Sequence, residues 1–440
     1  MLLVVLVFLF PGCGDPVEEN IQRLGLRMGD KEEAKLELLL AKGSAVAPLL
    51  AALDDPRYAE GRVELVEVLF GLMMRVEDAR IIRSLENHLR KDPDPQMRAE
   101  IAQGLGRRKY AASTDALIAA SRDTAALVRH SALEAVGMLK EYLTDEQFDA
   151  ISLIAREYLA DPDPQVREQA LLHAEGKVVK MHEIAAQAAS RAQVVQAESL
   201  YKAALDYSPE SWRARYRLAR FYFDNTERER GLRQMRRHGM LTEAKRLPEA
   251  PVLDGRLDET AWSGIDGLLL PYVANYFSAI ASDLPTRVYV GYTDEALYLG
   301  FYGYDERPDS IVSEMTARDD QVWHEDSVEF FIDGDLDRRS YVHFIINARG
   351  TIYDEKLSSG RWTPGPSWNA NCAVATYIGD DFWSLEFRLP FGQEGVPQPR
   401  PGDFWGANFN RDFRGRSANQ WVFTYGSFHQ PDEFGLLEFK

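Results

Sequence analysis

The stretch Gln321-Val322-Trp323-His324-Glu325-Asp326-Ser327-Val328-Glu329-Phe330-Phe331-Ile332-Asp333 combines an aromatic ring, a carboxylate and a strand. Val328, Phe330 and Ile332 alternate with Ser327, Glu329 and Asp333, the two-residue period of a strand with one face on a core. Trp323 stands where that strand begins, a place where a ring is hard to bury completely. Glu329 lies on the polar face a few residues on. A flat aromatic beside fixed hydrogen-bonding groups suits a sugar ring. The C–H face stacks on the aromatic, and the hydroxyls take directional bonds. Further along, Asp333, Asp335 and Asp337 alternate as hard oxygen ligands for calcium would. That run lacks a distal bidentate carboxylate, and a polar hairpin loop is its first reading. No P-loop, zinc-ligand spacing or nucleophile elbow appears, so the sequence assigns no catalytic residue.

The elements that must position these groups belong to a long chain. At 440 residues it holds about two to four domains. The net charge of -18 disfavours nucleic acid as a partner, because phosphate binding needs a basic surface. Only two cysteines occur, Cys13 and Cys372, which excludes a disulfide framework. Cys13 follows the apolar run Leu2 to Phe10, which has the length of a signal-peptide core and is too short to span a bilayer. A cysteine directly after such a run, with Gly12 before it, resembles a bacterial lipobox, although no basic residue precedes the run. That resemblance implies a lipidated Cys13 and a chain anchored to a membrane of the bacterial cell envelope. It leaves Cys372 as a small buried apolar residue.

From about Ile21 to Gly239 the pattern is helical, and one phrase recurs. Asp92-Pro93-Asp94-Pro95-Gln96-Met97-Arg98 returns as Asp161-Pro162-Asp163-Pro164-Gln165-Val166-Arg167. Weaker copies begin at Asp123 and Asp54. Asp-Pro ends one helix and opens the next. The following Val or Met starts an apolar stripe whose small residues allow close helix approach. A period of roughly 30 to 40 residues belongs to helical solenoids, and these copies resemble HEAT repeats. Ala197, Tyr201, Ala204, Leu205 and Pro209, then Leu218, Ala219 and Tyr222, resemble one and a half tetratricopeptide repeats. Such a short array cannot bury its own face and is expected to stack on the end of the HEAT array. The basic run Arg228 to Arg237 reads as a solvated helix face.

Around Arg246-Leu247-Pro248-Glu249-Ala250-Pro251 the helical period stops and an extended linker is expected. Beyond it come many short strands with no helices between them, which argues for an antiparallel sandwich. The strands are expected at 287–293, 296–302, 327–333, 341–347, 371–378, 383–389, 405–411, 421–425 and 435–439. The fold class is thus multidomain, an all-α solenoid followed by an all-β sandwich. The segments are a signal peptide with lipobox at 1–13, HEAT-like helices at 21–183 and tetratricopeptide-like helices at 184–240. A linker at 241–250 and a sandwich at 251–440 complete them.

The C-terminal half also resembles the family 9 carbohydrate-binding modules. The resemblance is carried by Pro251-Val252-Leu253-Asp254-Gly255-Arg256-Leu257-Asp258-Glu259 with Trp262, by 323–333, by Phe344-Ile345-Ile346-Asn347 with Gly350, by Trp405-Gly406-Ala407-Asn408-Phe409, and by 428–435. It implies a non-catalytic sandwich that clamps a polysaccharide or oligosaccharide end between two aromatic rings, often with structural calcium. Residue by residue, it implies that Trp323 is the first ring, Glu329 a hydroxyl-binding carboxylate and Asn347 a hydrogen-bonding amide. Ile345 stands where the family has a basic residue, and Arg411 is the candidate to replace it from a neighbouring strand. Tyr425 is the candidate second ring, with Trp421 competing; Trp262, Trp383 and Trp405 are expected in the core. On this reading the sandwich binds sugar and the solenoid is a spacer or a dock for a protein partner. The alternatives are a scaffold whose sandwich has lost sugar binding, and an accessory part of a glycoside hydrolase system.

Overall fold

The computed structural model describes residues 15–273, 280–281, 285–358, 368–414, 417–425 and 427–440. The Leu2–Phe10 run and Cys13 lie outside the described residues. The chain forms two compact units, Met1–Lys177 and Val178–Lys440.

The first unit is built of helices. The second Asp-Pro of each phrase starts a helix as expected. Asp94 caps Pro95–Arg107 by accepting from the Gln96 N–H, and Asp163 accepts from Gln165 and Val166. The first aspartate has a separate task. The Asp123 carboxylate takes two bonds from Arg98, at 2.8 and 2.7 Å, and Asp161 takes two from Arg129, at 3.0 and 2.9 Å. Arg62 holds Asp92 in the same way. Each phrase's own arginine also donates to the carbonyl of its first aspartate: Arg98 to Asp92, Arg129 to Asp123, Arg167 to Asp161. One guanidinium therefore ties its own turn and reaches the turn of the next phrase. Between the helices, Met97, Ile101, Leu105, Val128, Ala132 and Val136 are buried. A Cβ on Gly106 would stand 2.7 Å from the Ala135 Cα, so the small residue is what lets these helices meet.

The second unit joins helices to a sandwich. After the C-terminal part of the helix Pro164–Ser190 come helices Val194–Tyr207, Trp212–Phe221 and Arg228–Arg237. Fourteen strands follow among the described residues. They are β1 (Leu241–Arg246), β2 (Leu268–Leu269), β3 (Tyr272–Val273), β4 (Ile280–Ala281), β5 (Thr286–Tyr292), β6 (Ala296–Tyr304) and β7 (Ser327–Asp333). Then come β8 (Ser340–Asn347), β9 (Ile352–Ser358), β10 (Ala373–Ile378), β11 (Phe382–Pro390), β12 (Phe404–Phe413), β13 (Ser417–Gln420) and β14 (Gly435–Phe439). One sheet runs β9-β8-β7-β12, and the far edge of β12 is shared between β14 and β13. The other runs β10-β11-β6-β5. Val328, Phe330, Ile332, Phe344, Phe387 and Phe409 fill the space between the two sheets.

Residues 241–250 do not form the expected linker. Leu241 to Ala244 pair in parallel with β14, and Lys245 and Arg246 pair in parallel with β5, so β1 crosses from one sheet to the other. Extended backbone that finds hydrogen-bonding edges on both sides becomes a strand, and Pro248 ends it soon after. The helices before it are likewise part of this unit. Trp212, Tyr216, Phe223, Leu232 and Met235 share one core with the sandwich. Trp212 lies edge-on to Tyr272 at 5.1 Å, Phe223 to Phe404 at 5.5 Å, and the Trp421 indole N–H donates to the Gly239 carbonyl at 2.7 Å. Of the residues named for the tetratricopeptide-like array, Ala219 joins this core, while Ala197, Tyr201, Leu218 and Tyr222 pack in a separate cluster among the helices. The arginines of the basic run are exposed or half-buried, as a solvated helix face requires, and two of them also meet other side chains of this unit. Arg228 lies over Phe223 and Phe404, and Arg236 pairs with Glu438 at 2.9 Å.

If the helices and sandwich share a core, Trp212→Ala destabilises the sandwich itself by about 3–5 kcal/mol. Urea unfolding followed by near-ultraviolet circular dichroism would show the lowered midpoint. An unchanged midpoint would restore the independent spacer.

Candidate functional site

The outer side of the β9-β8-β7-β12 sheet carries an unusual row of residues. By register, Gln420, Asn410, Glu329, Ile345 and Tyr353 stand directly opposite one another across β13, β12, β7, β8 and β9. Their neighbours along each strand face the core, so alternation puts the row on the sheet's outer side, where Glu329, Ile345, Asn410 and Gln420 are nonetheless buried. Both amide atoms of Asn410, and Nε2 of Gln420, are buried without a hydrogen-bond partner. Buried polar atoms in that state cost about 1–3 kcal/mol each unless a ligand or water meets them. At the β9 end of the row the Trp323 ring lies edge-on to Tyr353, 5.3 Å away, and remains 36% exposed. Trp323 sits in the turn Val322–His324, whose Val322 is buried and fixes it.

The next row is charged. His343 is stacked flat on Phe331 and lies between two carboxylates, with Nε2 2.7 Å from Glu329 and Nδ1 2.9 Å from Glu355. Burial alone would lower its pKa. The two carboxylates outweigh that and push it up to about 9. Burial would raise Glu355, but the His343 bond and charge bring it below its ordinary value. His429 stands beside His343, its ring 4.8 Å away, and its Nδ1 is 3.0 Å from the Tyr341 hydroxyl. Burial, then the charge on His343, push His429 down to about 4. At the other end of the face, burial and the nearby Glu329 hold Asp412 well above the usual carboxylate range.

Of the five residues expected to bind sugar, Trp323 and Glu329 are on this face, though one Glu329 oxygen is engaged by His343. The other three do not offer their side chains to it. Asn347 donates to Met315 and Glu325 and accepts from Arg349 and Thr351, so its amide is spent on the turn. Arg411 stands opposite Val328, a core position, and points between the sheets toward Thr286 and the Tyr304 carbonyl. It cannot replace the basic group missing at Ile345, because alternation gives the outer face to Asn410 and Asp412. The ring of Tyr425 lies under the Arg213 guanidinium at 3.7 Å, covered by the helix Trp212–Phe221. Trp421 is buried in the core, as are Trp262, Trp383 and Trp405. Cys372 is half-buried against that core.

Asp333, Asp335 and Asp337 do gather, with oxygens within 4.8 Å of one another. Burial, then Asp335 and Asp337, push Asp333 up to about 8. Their oxygens are of the right kind for calcium, which takes six to eight. Asp333, however, accepts from the Asp337 and Arg338 N–H groups, and Asp337 from Arg339 and Ser340. The three carboxylates fall short of a calcium shell, and what they build is a polar turn.

A second carboxylate cluster explains the phrase that opens the sandwich. Glu386 on β11 is fully buried and accepts from the Asp254 N–H at 2.9 Å, the Gly255 N–H at 2.8 Å and the Trp262 indole at 2.7 Å. Gly255 has φ +86° and packs on the Thr376 backbone, where a Cβ would stand at 2.4 Å. Glu259 shares the cluster. Burial, with the charge of Glu386, pushes its carboxyl up to about 7.

The HEAT-repeat family model matches residues 82–175. No curated protein matches the sequence. A family 9 carbohydrate-binding module from Caldicellulosiruptor kristjanssonii, in complex with cellotriose, is 19% identical over 46% of this chain and 93% of that one, with a TM-score of 0.34. The complex of such a module with glucose gives 18% identity, coverage of 45% and 96%, and a TM-score of 0.34. The alkylpurine DNA glycosylase AlkC of Pseudomonas fluorescens, bound to DNA, covers 96% of this chain and 98% of that one at 12% identity and a TM-score of 0.21. At those levels of likeness the functional reading rests on this chain's own geometry.

The Glu259 environment gives a pH test. A carboxyl whose folded pKa is raised above about 4.5 destabilises the fold once it must ionise, progressively between pH 4.5 and pH 7. Glu259→Gln removes that penalty. The variant should melt higher than the parent at pH 8 and close to it at pH 4.5, by differential scanning calorimetry. An equal shift at both pH values would refute the assignment.

Proposed function

We propose that the outer face of the sandwich binds carbohydrate without catalysing its cleavage, and that Trp323 supplies the stacking surface. The observation that carries this is the row from Gln420 to Tyr353. It combines buried amide atoms without partners and a carboxylate with an exposed indole at one end. A sugar offers what that row lacks: an apolar face for the ring and hydroxyls that both donate and accept. No general acid and base pair is identified on this face, since Glu329 and Glu355 are both engaged by one imidazole. The likeness to modules crystallised with cellotriose and glucose agrees with this reading and adds only the fold. The helices hold the sandwich or a protein partner. A bacterial envelope location rests on the Cys13 motif alone.

One observation favours the alternative. With Ile345 in the row and Arg411 turned inward, neither of these positions gives the face a guanidinium to fork sugar hydroxyls. A sandwich that serves protein assembly would tolerate that loss.

Titration calorimetry of the full chain against cello-, xylo- and manno-oligosaccharides separates the two. Carbohydrate binding is expected at micromolar to millimolar strength, about −4 to −8 kcal/mol. Trp323→Ala should abolish it, and Asn410→Ala should weaken it by a factor of about 5–30, from an unmet hydrogen bond of about 1–2 kcal/mol. A flat trace for the folded protein across the panel would select the scaffold. Separately, metabolic labelling with a fatty acid should mark the chain in a bacterial host and fail for Cys13→Ser; equal labelling of both would remove the anchor.

A further inference from the structure

The charged row holds a second arrangement, which shares only Glu329 with the sugar reading. Glu329, His343 and His429 each bring one ligand atom to a common point, all within 4.8 Å of one another. We propose that these three side chains bind one divalent transition-metal ion, with zinc the ion their donor set fits best.

Two imidazoles and one carboxylate are a three-residue zinc set that leaves a fourth position open. Hard cations prefer oxygen, so the pair of nitrogens argues against calcium or magnesium. The imidazoles are also oriented from behind. The Glu355 carboxylate holds His343 at Nδ1, 2.9 Å away, and is itself held by the Tyr353 hydroxyl at 3.1 Å. The Tyr341 hydroxyl meets His429 at Nδ1. Both contacts leave Nε2 as the nitrogen available to a metal. Such outer partners fix the tautomer and the direction of a ligating histidine.

The rings are braced as well. Phe331 stacks on His343 at 4.3 Å and 5°, and meets His429 edge-on at 5.2 Å and 84°. Glu329 and His343 come from adjacent strands, β7 and β8, so two of the three ligands sit on the rigid sheet. A tetrahedral ion with bonds near 2.0–2.1 Å would hold its ligand atoms about 3.3 Å apart. The 2.7 Å pair of His343 and Glu329 therefore has to open by about 0.6 Å, and a ligand atom at the 4.8 Å limit has to close by about 1.5 Å. The plain alternative is a structural bridge in which one imidazole joins two carboxylates. That bridge accounts for His343 and needs no second imidazole. His429, with a ring nitrogen within 4.8 Å of the other two ligand atoms, is what distinguishes a metal site.

The test uses the full chain, treated with chelator and then titrated with zinc chloride by calorimetry. A parallel titration with cobalt(II) reports the geometry through its visible absorption. One zinc per chain is expected, with a cobalt band of the intensity given by four- or five-coordinate ions. His429→Ala should weaken zinc at least about tenfold, while its metal-free melt stays like the parent's. Tyr341→Phe should weaken it about tenfold or more, in the range for lost outer partners. No zinc uptake, or uptake unchanged in His429→Ala, would overturn the site and leave the structural bridge. Neither result depends on whether the protein binds sugar.

Discussion

The imidazole of His343 lies between Glu329 and Glu355, and much of the outer face is arranged around those two contacts. A charge removed from water is tolerated only when a partner meets it. On this face the constraint is strict, because Phe331, Tyr341, Leu357 and Phe434 form an apolar cluster beside the charges. The same rule acts elsewhere in the chain. Asp354 is fully buried and is met by Arg318 and the Ala370 N–H. Glu386 is met by three N–H groups, and each first aspartate of the helical phrases by an arginine.

That rule also marks where the sequence was legible and where it was not. The solenoid phrases showed themselves because Asp-Pro has a local meaning that does not depend on the fold. Most sandwich strands showed themselves by alternation. β9 escaped, because Tyr353-Asp354-Glu355-Lys356 has the composition of a solvated loop. Its acids are buried through partners distant in sequence, His343 on β8 for Glu355 and Arg318 and the Ala370 N–H for Asp354, and no local pattern reveals them. With β9 unseen, Tyr353 and Glu355 were missing from the candidate site. His343, Asn410 and Gln420 were missed because they come together only through register, and His429 because it arrives on the loop before β14. The one available signal was alternation, since Asn410 and Asp412, and not Arg411, share the parity of the outer face. The segment 421–425 looked like a strand. In its place the Asn408 side chain brackets Val422, accepting from its N–H and donating to its carbonyl, and so imitates a strand partner.

The shared core changes what the helical segment before the sandwich can be. A spacer can be lengthened or exchanged without consequence to the module it carries. Helices that contribute Trp212, Tyr216 and Met235 to the module's own interior cannot. The Arg213 guanidinium over Tyr425 makes the same point at the surface, where it closes a position that would otherwise have been free to stack. The helical packing therefore shapes the sandwich face directly, by deciding which aromatic rings stay open.

The placement of β1 has a consequence for biosynthesis. Its first four residues pair with β14, the last strand of the chain, and its next two with β5. A ribosome delivers Leu241 nearly two hundred residues before Phe439. Until β14 has left the exit tunnel, β1 lacks one of its two edges, and the helices docked beside it lack part of their cover. The phrases of the first unit close contacts over about thirty residues and can consolidate as they emerge. The two units thus mature on different clocks, one as its phrases emerge and one only after β14 has followed. A chain cut short before β14 would carry a finished solenoid and an unfinished sandwich.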